Sequence, residues 1–216
     1  MSFQISITPQ EIEKLPLAAF EGKIKVIDAP GPELDRAVEY LCRQKAVGFD
    51  TESKPVFTPG QHGNGVALLQ LSGPNKAFLF RVKELGSLGK ICQVLANPYI
   101  LKVGAAVADD IRGLQRIQDF TPRNFADLQQ MVWKYGIKDK SVKKMSAIIL
   151  GVRISKTQQL SNWEAATLNE AQQKYAATDA WICLQMYRKL QRSARHPLTP
   201  EQMMAPEQLA KLHHEK

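Results

Sequence analysis

The sequence predicts an α/β domain in which helices pack on both faces of a mixed β-sheet. Short apolar runs separated by turn residues between positions 46 and 81 indicate an antiparallel meander. After position 88, strand-like and helix-like segments alternate, as in domains whose helices cover a sheet. A chain of 216 residues with 44% hydrophobic residues can fill one such domain.

The expected elements follow from their hydrophobic periodicity. Lys23–Ile27 alternates polar and apolar residues, which is typical of an edge strand, and Leu34–Gln44 carries apolar residues at helical spacing. The other expected strands lie at 46–52, 66–71, 77–81, 100–104 and 124–127, and the other expected helices at 88–95, 108–117, 128–135 and 168–195. The Pro-, Gly- and His-containing stretch Pro55–Asn64 is expected to be a loop.

The chain divides into a folded domain, residues 23–195, and two flanking segments. Residues 1–22 form an N-terminal extension with a helix start at Thr8, which precedes Pro9 and has Glu11 three residues on. Residues 196–216 contain few large apolar residues and are expected to form a flexible C-terminal tail.

Bulk composition favours a cytoplasmic protein with a polyanionic partner. The formal net charge of +8 attracts nucleic acid first and anionic membranes second. Cys42, Cys92 and Cys183 are isolated within apolar patterns, which predicts buried, reduced thiols rather than disulfides or a zinc site. No signal-like or membrane-length apolar segment is present, so we expect a soluble, unprocessed protein with no membrane partner.

Two carboxylates follow each other at alternate positions of the strand 46–52. Asp50 and Glu52 therefore point to the same face. Two like charges in apolar surroundings are costly, and a divalent cation would neutralise them. A strand that runs out into solvent would also explain them.

Two further places carry acidic side chains next to predicted elements. Asp109 and Asp110 lie at the start of the helix 108–117, where Asp109 is a candidate helix cap and Asp110 a first-turn residue directed back toward the strand end. Asp179 lies in an apolar part of the last helix, one turn after Tyr175, so it needs a partner. A hydrogen-bonded Tyr–Asp pair in the core is the alternative.

Seven basic residues against one acid lie between Lys134 and Lys156. Lys138, Lys140, Lys143, Lys144 and Lys156 are candidates for binding a phosphate backbone. The same segment has a helical apolar pattern, so its lysines could equally be the solvated side of a helix.

Together, the carboxylates and the phenol indicate a site for hard cations. Oxygen ligands with no neighbouring Cys or His suit Mg²⁺ or Mn²⁺ better than zinc. Two such ions about 4 Å apart can hold the attacking and leaving oxygens of a phosphoryl displacement. The basic surface matches a phosphodiester substrate.

These segments resemble the motifs of one enzyme family. Phe49–Glu52, Val103–Leu114 and Tyr175–Ala180 are similar, in order, to the three motifs of the DEDD 3'-5' exonucleases that carry tyrosine in the third motif. Leu160–Trp163 and the Gln-rich stretch before Tyr175 resemble the Werner-syndrome exonuclease domain and ribonuclease D. The short tail leaves no room for the helical domain that follows in ribonuclease D, so the Werner-type domain is the nearer likeness.

The resemblance implies an RNase H-like fold of the DnaQ type and a two-metal site with two Mg²⁺ or Mn²⁺ ions. Asp50 would bridge both ions, Glu52 and Asp179 would complete one, Asp110 would hold the other, and Tyr175 would position the attacking water. Asp109 could exchange with Asp110 if the alignment slips by one place. Further substrate contacts are expected from the loop 55–64 and from Leu68, Leu69, Gln70, Lys156, Ser161, Asn162 and Trp163.

The function expected is metal-dependent 3'-5' exonuclease activity on single-stranded or recessed 3' ends of DNA or RNA, which releases nucleoside 5'-monophosphates. An inactive or weakly active nucleic-acid-binding protein on the same fold is the alternative. An RNase H-like endonuclease is a third possibility, and it would cut internally.

Overall fold

The computed structural model describes residues 2–55 and 65–204 and has a six-stranded mixed sheet at its centre. The strands are β1 (Lys23–Ile27), β2 (Ala46–Ser53), β3 (Val66–Ser72), β4 (Lys76–Arg81), β5 (Leu101–Gly104) and β6 (Phe125–Asp127). Their spatial order is β1-β4-β3-β2-β5-β6. The strands β2, β3 and β4 form the expected antiparallel meander, and the other neighbours are parallel. The predicted class and the edge position of β1 are confirmed.

Helices surround this sheet. They are α1 (Pro9–Glu13), α2 (Pro32–Cys42), α3 (Val82–Leu85), α4 (Cys92–Leu95), α5 (Val107–Gln115), α6 (Leu128–Met131), α7 (Val142–Leu150), α8 (Glu170–Gln191) and α9 (Pro200–Met203). The predicted capping box of Thr8 and Glu11 is present at α1. A second box, between Asn169 and Gln172, begins α8. None of the described helices is long and apolar enough to cross a bilayer.

Three local expectations were wrong. The helix expected at 88–95 is shortened to α4, because residues 89–91 form a turn instead of a helical turn. The helix expected at 128–135 changes to a 3-10 turn at Val132–Tyr135, which ends at Gly136 with φ of 81°. Cys42 is exposed at the last residue of α2, where the helix ends, whereas Cys183 is buried as expected.

The two faces of the sheet differ in what they bury. The apolar face is formed by Val47, Phe49, Leu69, Leu71, Phe78 and Phe80, which pack in one cluster with residues of α2, α3, α4 and α5. The acidic face lies under α8 and is formed by Gly48, Asp50, Glu52, Leu68, Gln70 and Leu79. Because side chains alternate along a strand, both faces are built from the same three strands.

Helix α8 lies unusually close to β2. A Cβ atom at Gly48 would lie 1.8 Å from the carbonyl oxygen of Ala180, so only glycine fits at this crossing. Asp50 follows Gly48 by two residues, and Asp179 precedes Ala180. The close approach therefore sets two candidate site residues against each other.

The N-terminal segment and the start of the tail both contact the central domain. The Ala18 amide donates to the Arg153 carbonyl at 2.8 Å, and the amide of the buried Phe20 donates to the Thr178 hydroxyl at 2.9 Å. Leu198 is buried and its amide donates to the Trp133 carbonyl at 2.9 Å. The tail is therefore attached at its beginning, while residues 205–216 lie outside the described part.

Candidate active site

Three carboxylates from two elements meet at the carboxyl end of β2. Asp50 and Glu52 come from the strand and Asp179 from α8, and one oxygen atom of each lies within 4.8 Å of the others. We call these three residues the carboxylate cluster. Asp179 is only 7% exposed, and its Oδ1 atom has no hydrogen-bond partner among the described residues. The arrangement concentrates negative charge that no described basic group in direct contact neutralises.

Burial raises the pKa values of all three groups, and repulsion between carboxylates adds to the shift at Asp50 and Glu52. Burial raises the pKa of Asp50 well above its ordinary value, and repulsion from Asp179 and Glu52 raises it further. Burial, followed by repulsion from Asp179, raises the pKa of Glu52 to about 8. Burial also raises the pKa of Asp179, while the nearby Lys156 ammonium opposes this shift. Such perturbed acids are typical of functional sites.

Asp110 lies beside the cluster but is not one of its three members. Its Oδ1 atom accepts a 2.6 Å hydrogen bond from the Thr51 hydroxyl. Burial raises the pKa of Asp110 to about 6 against the opposing effect of that hydrogen bond. Its charge also raises the pKa of Asp50 and Glu52, which places it within electrostatic reach of both.

Asp109 points elsewhere. Its side chain is 79% exposed and forms an ion pair with Arg112. The helix cap expected at Asp109 is wrong, because α5 begins at Val107, two residues earlier, and its N-cap is Ala106. Geometry therefore directs Asp110, and not Asp109, toward the site.

Asp127 fixes the start of α5 and was missed in the sequence. Its Oδ1 atom accepts the amide of Ala106 at 3.1 Å and the amide of Gln129 at 2.9 Å. Ala106 has φ of 58°, a left-handed conformation that is uncommon for alanine. The Asp127 carboxylate thus stabilises the turn that positions the helix carrying Asp110. Its location, directly after a short strand and before a helix, is the sequence signal for such a cap.

Tyr175 lies next to the carboxylate cluster, and its ring packs against a buried tryptophan. Its phenol interacts with the Asp179 carboxylate one helical turn later, which raises the pKa of Tyr175 and lowers that of Asp179. Its ring packs on the fully buried Trp163 with 5.9 Å between centroids. Burial and the negative charge of Asp179 raise the pKa of Tyr175, so its phenol is neutral in the physiological range.

The residues predicted to contact substrate fall into two groups. Leu68, Leu69, Gln70 and Trp163 are fully buried, and Leu69 lies on the apolar face, so none offers a surface on which a base could stack. Asn162 is exposed and Ser161 half-buried, and both lie in the turn that carries Trp163. The loop expected to border the terminal nucleotide falls on residues 56–64, outside the described part.

The predicted phosphate-binding lysines also divide. Lys156 lies near the cluster, because its charge lowers the pKa of both Glu52 and Asp179. Lys144 is paired with Asp139 at 2.8 Å, and the Lys138 ammonium donates to the Met204 carbonyl at 2.5 Å. Lys138 and Lys144 are thus engaged by other groups of the same domain. Lys156 is the predicted lysine whose charge affects the carboxylate cluster.

The comparison with known families decides what kind of domain this is. A family model described as 3'-5' exonuclease matches residues 31–195, which include all of the acids above. This chain belongs to the 3'-5' exonuclease family. The match runs from just before α2 to just after α8, so it spans the sheet except for β1.

Relatives of this exonuclease domain are found in larger proteins. It is 30% identical over 151 residues to the mouse bifunctional 3'-5' exonuclease/ATP-dependent helicase WRN, covering 67% of this chain and 11% of that protein. It is 29% identical over 154 residues to ribonuclease D of Haemophilus influenzae, covering 70% of this chain and 38% of that protein. The chain thus spans well under half of either relative.

Solved structures share the fold of the exonuclease domain. The crystal structure of Escherichia coli RNase D, an exoribonuclease involved in structured RNA processing, superposes with a TM-score of 0.70 at 23% identity, covering 79% of this chain and 44% of that one. The Aedes aegypti Nibbler EXO domain gives a TM-score of 0.70 at 21% identity, covering 81% and 91% of the two chains. These neighbours establish the RNase H-like architecture expected from the sequence.

A cavity of about 220 Å³ opens beside Tyr175 and Asp179. One wall is formed by Leu17, Ala18 and Ala19, which lie before the residues matched by the family model. Most of the cavity surface is apolar. The N-terminal extension therefore contributes to the surroundings of the site, which nothing in its sequence indicated.

Proposed function

We propose that this chain is a metal-dependent 3'-5' exonuclease that hydrolyses the terminal phosphodiester bond of DNA or RNA by a two-metal-ion mechanism and releases nucleoside 5'-monophosphates. The observation that carries the proposal is the carboxylate cluster, whose oxygens lie within 4.8 Å of one another in a domain of the exonuclease family. Burying three carboxylates together destabilises the fold, so a domain with a purely structural role would gain nothing from such a cluster.

The donor set fits two hard cations. All candidate ligands are carboxylate oxygens, and one Asp179 oxygen is buried without a partner. Asp50, Glu52 and Asp179 would hold one ion, and Asp110 together with Asp50 would hold the other. When bound, the Mg²⁺ or Mn²⁺ ions activate the attacking water and stabilise the charge that develops on the leaving oxygen.

The remaining groups orient the reactants. Burial and the adjacent Asp179 raise the pKa of Tyr175, so its phenol stays neutral, and its hydroxyl can direct a water molecule but does not serve as the proton acceptor. Lys156 supplies positive charge beside the acids, where a scissile phosphate would bind. The apolar cavity walled by Leu17 and Ala19 offers room for the terminal nucleoside.

The test is a time course on matched 5'-labelled DNA and RNA oligonucleotides, single-stranded and recessed, with Mg²⁺ or Mn²⁺. We expect a ladder of single-nucleotide losses from the 3' end and mononucleotide products, both abolished by EDTA. Internal fragments would indicate an endonuclease. Binding that survives EDTA, with no product in either metal, would indicate a nucleic-acid-binding protein without the chemistry.

Asp110 and Asp109 provide a matched pair for the same assay. Asp110→Asn removes a proposed ligand and should lower the rate by roughly 10²-fold or more. Asp109→Asn removes an equal charge from the adjacent, exposed position and should leave the rate within about twofold of wild type. Equal losses in both variants would contradict the assignment.

A further inference from the structure

The apolar face of the sheet is left uncovered at one edge. At β4, Phe78 is buried against the helices of this face, but the neighbouring positions of β1 on the same face are Lys23 and Lys25. Lys76, at the start of β4, pairs in register with Lys23. The edge of the sheet beside α2 is therefore lined by lysines where the centre of the sheet has aromatic residues.

This edge and α2 enclose a groove of about 250 Å³. Its floor is formed by Ile27, Ala37, Tyr40 and Phe78, and its rim by four exposed cations, Lys23, Lys25, Arg36 and Lys76. The one acid of the groove, Glu33, lies 3.5 Å from both Lys25 and Arg36, so the rim keeps an excess of positive charge. We call this the basic groove.

The aromatic ring of Tyr40 lies among these cations. Tyr40 is half-buried, packs on Phe78 with 5.5 Å between centroids, and has the Lys76 ammonium 5.0 Å from its ring centroid. Cations that follow a backbone and an aromatic ring that contacts bases are the combination used to bind single-stranded nucleic acid without sequence preference. A lipid headgroup or an acidic side chain matches the cations but brings no aromatic base to stack on the ring.

We propose that the basic groove is a second binding site for single-stranded nucleic acid, separate from the carboxylate cluster. The groove is on the apolar face at β1, whereas the cluster is on the acidic face at β2, three strands away, or roughly 14 Å across the sheet. Only a strand of several nucleotides can reach from one place to the other. Long substrates therefore gain affinity from the groove, and a dinucleotide does not. The ligand class follows the proposed function, but binding to the groove does not depend on hydrolysis.

The test uses the full chain and measures binding of a fluorescent 25-nucleotide strand in EDTA between about 0.05 and 0.3 M salt. The double variant Lys23→Gln/Lys76→Gln should bind at least roughly fivefold more weakly at 0.1 M salt, and its salt slope should fall by about 1.4 if each lysine contacts one phosphate. Tyr40→Leu should weaken binding without changing the slope, because a stacking contact releases no counterions. Hydrolysis of a dinucleotide should remain unchanged in the lysine variant.

Lys14→Gln/Arg116→Gln is the matched control, since it removes two exposed cations outside the groove. Equal weakening in the control and in the groove variant would overturn the proposal, because only net charge would then matter. Unchanged binding in the groove variant, or loss of binding to phosphatidylserine vesicles with oligonucleotide binding intact, would also overturn it. If no variant hydrolyses any substrate, the proposed function fails, while the binding data still decide the groove.

Discussion

The two faces of the central sheet are built from the same strands and carry opposite chemistry. On the apolar face, Phe49 and Leu69 are fully buried among other apolar side chains. On the acidic face, Asp50 and Gln70 occupy the adjacent positions, and both amide atoms of the fully buried Gln70 have no partner among the described residues. Adjacent residues of β2 therefore have different roles, since Phe49 belongs to the hydrophobic core and Asp50 to the carboxylate cluster.

This difference shows that the residues that stabilise the fold and the residues proposed to carry the chemistry lie on opposite faces of one sheet. Burying apolar area on the first face stabilises the fold by about 25 cal/mol per Å². Burying carboxylates and crowding their like charges on the second face opposes folding, and the same two causes raise the pKa values of Asp50 and Glu52. We therefore expect substitutions on one face to affect stability alone and substitutions on the other to affect chemistry first.

The largest effect is expected from Asp50→Asn. Loss of the carboxylate shared by both proposed ions should lower the rate by roughly 10³-fold or more. The variant should nevertheless be at least as stable as wild type in EDTA, because one repelling charge is gone. Mononucleotide release and thermal unfolding measure the two outcomes. An active variant, or one that is inactive only because it is unfolded, would break the comparison.

Phe49→Ala tests the adjacent position on the other face. The side chain is fully buried and contacts Phe125 edge-to-face at 5.2 Å, so its loss should cost about 3–5 kcal/mol of unfolding free energy. Urea unfolding gives this value. Activity per folded molecule should stay within about threefold of wild type at low temperature. A stable variant with lost activity would reverse the roles assigned to the two faces.

Tyr175→Phe should have an intermediate effect confined to chemistry. The ring would keep its packing on Trp163, so the free energy of unfolding should change by less than about 1 kcal/mol. If the hydroxyl orients the attacking water as proposed, kcat should fall roughly 10²-fold while KM changes little. Steady-state kinetics on a short oligonucleotide would measure both. A rise in KM at constant kcat would assign the hydroxyl to substrate binding instead.

The smallest expected effect is the change in the stability of the metal-free protein caused by Glu52→Gln, and its size depends on pH. In the metal-free protein, the pKa of Glu52 is raised from 4.5 to about 8, so the folded state binds more protons than the unfolded state between these values. Wild-type stability should therefore fall as pH rises from about 4.5 through 8, while the variant lacks this part of the slope.

At pH 8 in EDTA, the Glu52→Gln variant should be more stable than wild type by about 1–3 kcal/mol, with a smaller difference at pH 5. Thermal unfolding across this pH range measures the difference. Saturating Mn²⁺ should reduce it by neutralising the wild-type carboxylates. A variant less stable than wild type at pH 8 without metal would mean that the Glu52 carboxylate stabilises the apo fold.

Much of the candidate site could be predicted because its information is local. Alternation along β2 assigns Asp50 and Glu52 to one face, and the helical repeat assigns Tyr175 and Asp179 to one side of α8. The order of these motifs along the chain identified the family. By contrast, the exposure of Cys42 and the burial of Leu68 depend on what other elements cover, which no short-range pattern contains.

The sequence by itself determined the strand and helix periods, the mixed sheet and the acids that could share a site, because each of these follows from spacing within one element. Only the tertiary structure decided between Asp109 and Asp110, brought the segment around Leu17 to the site, and left the basic groove uncovered at the sheet edge. These outcomes depend on where a helix begins and on which distant segments meet. Packing between elements sets both, and spacing within an element does not.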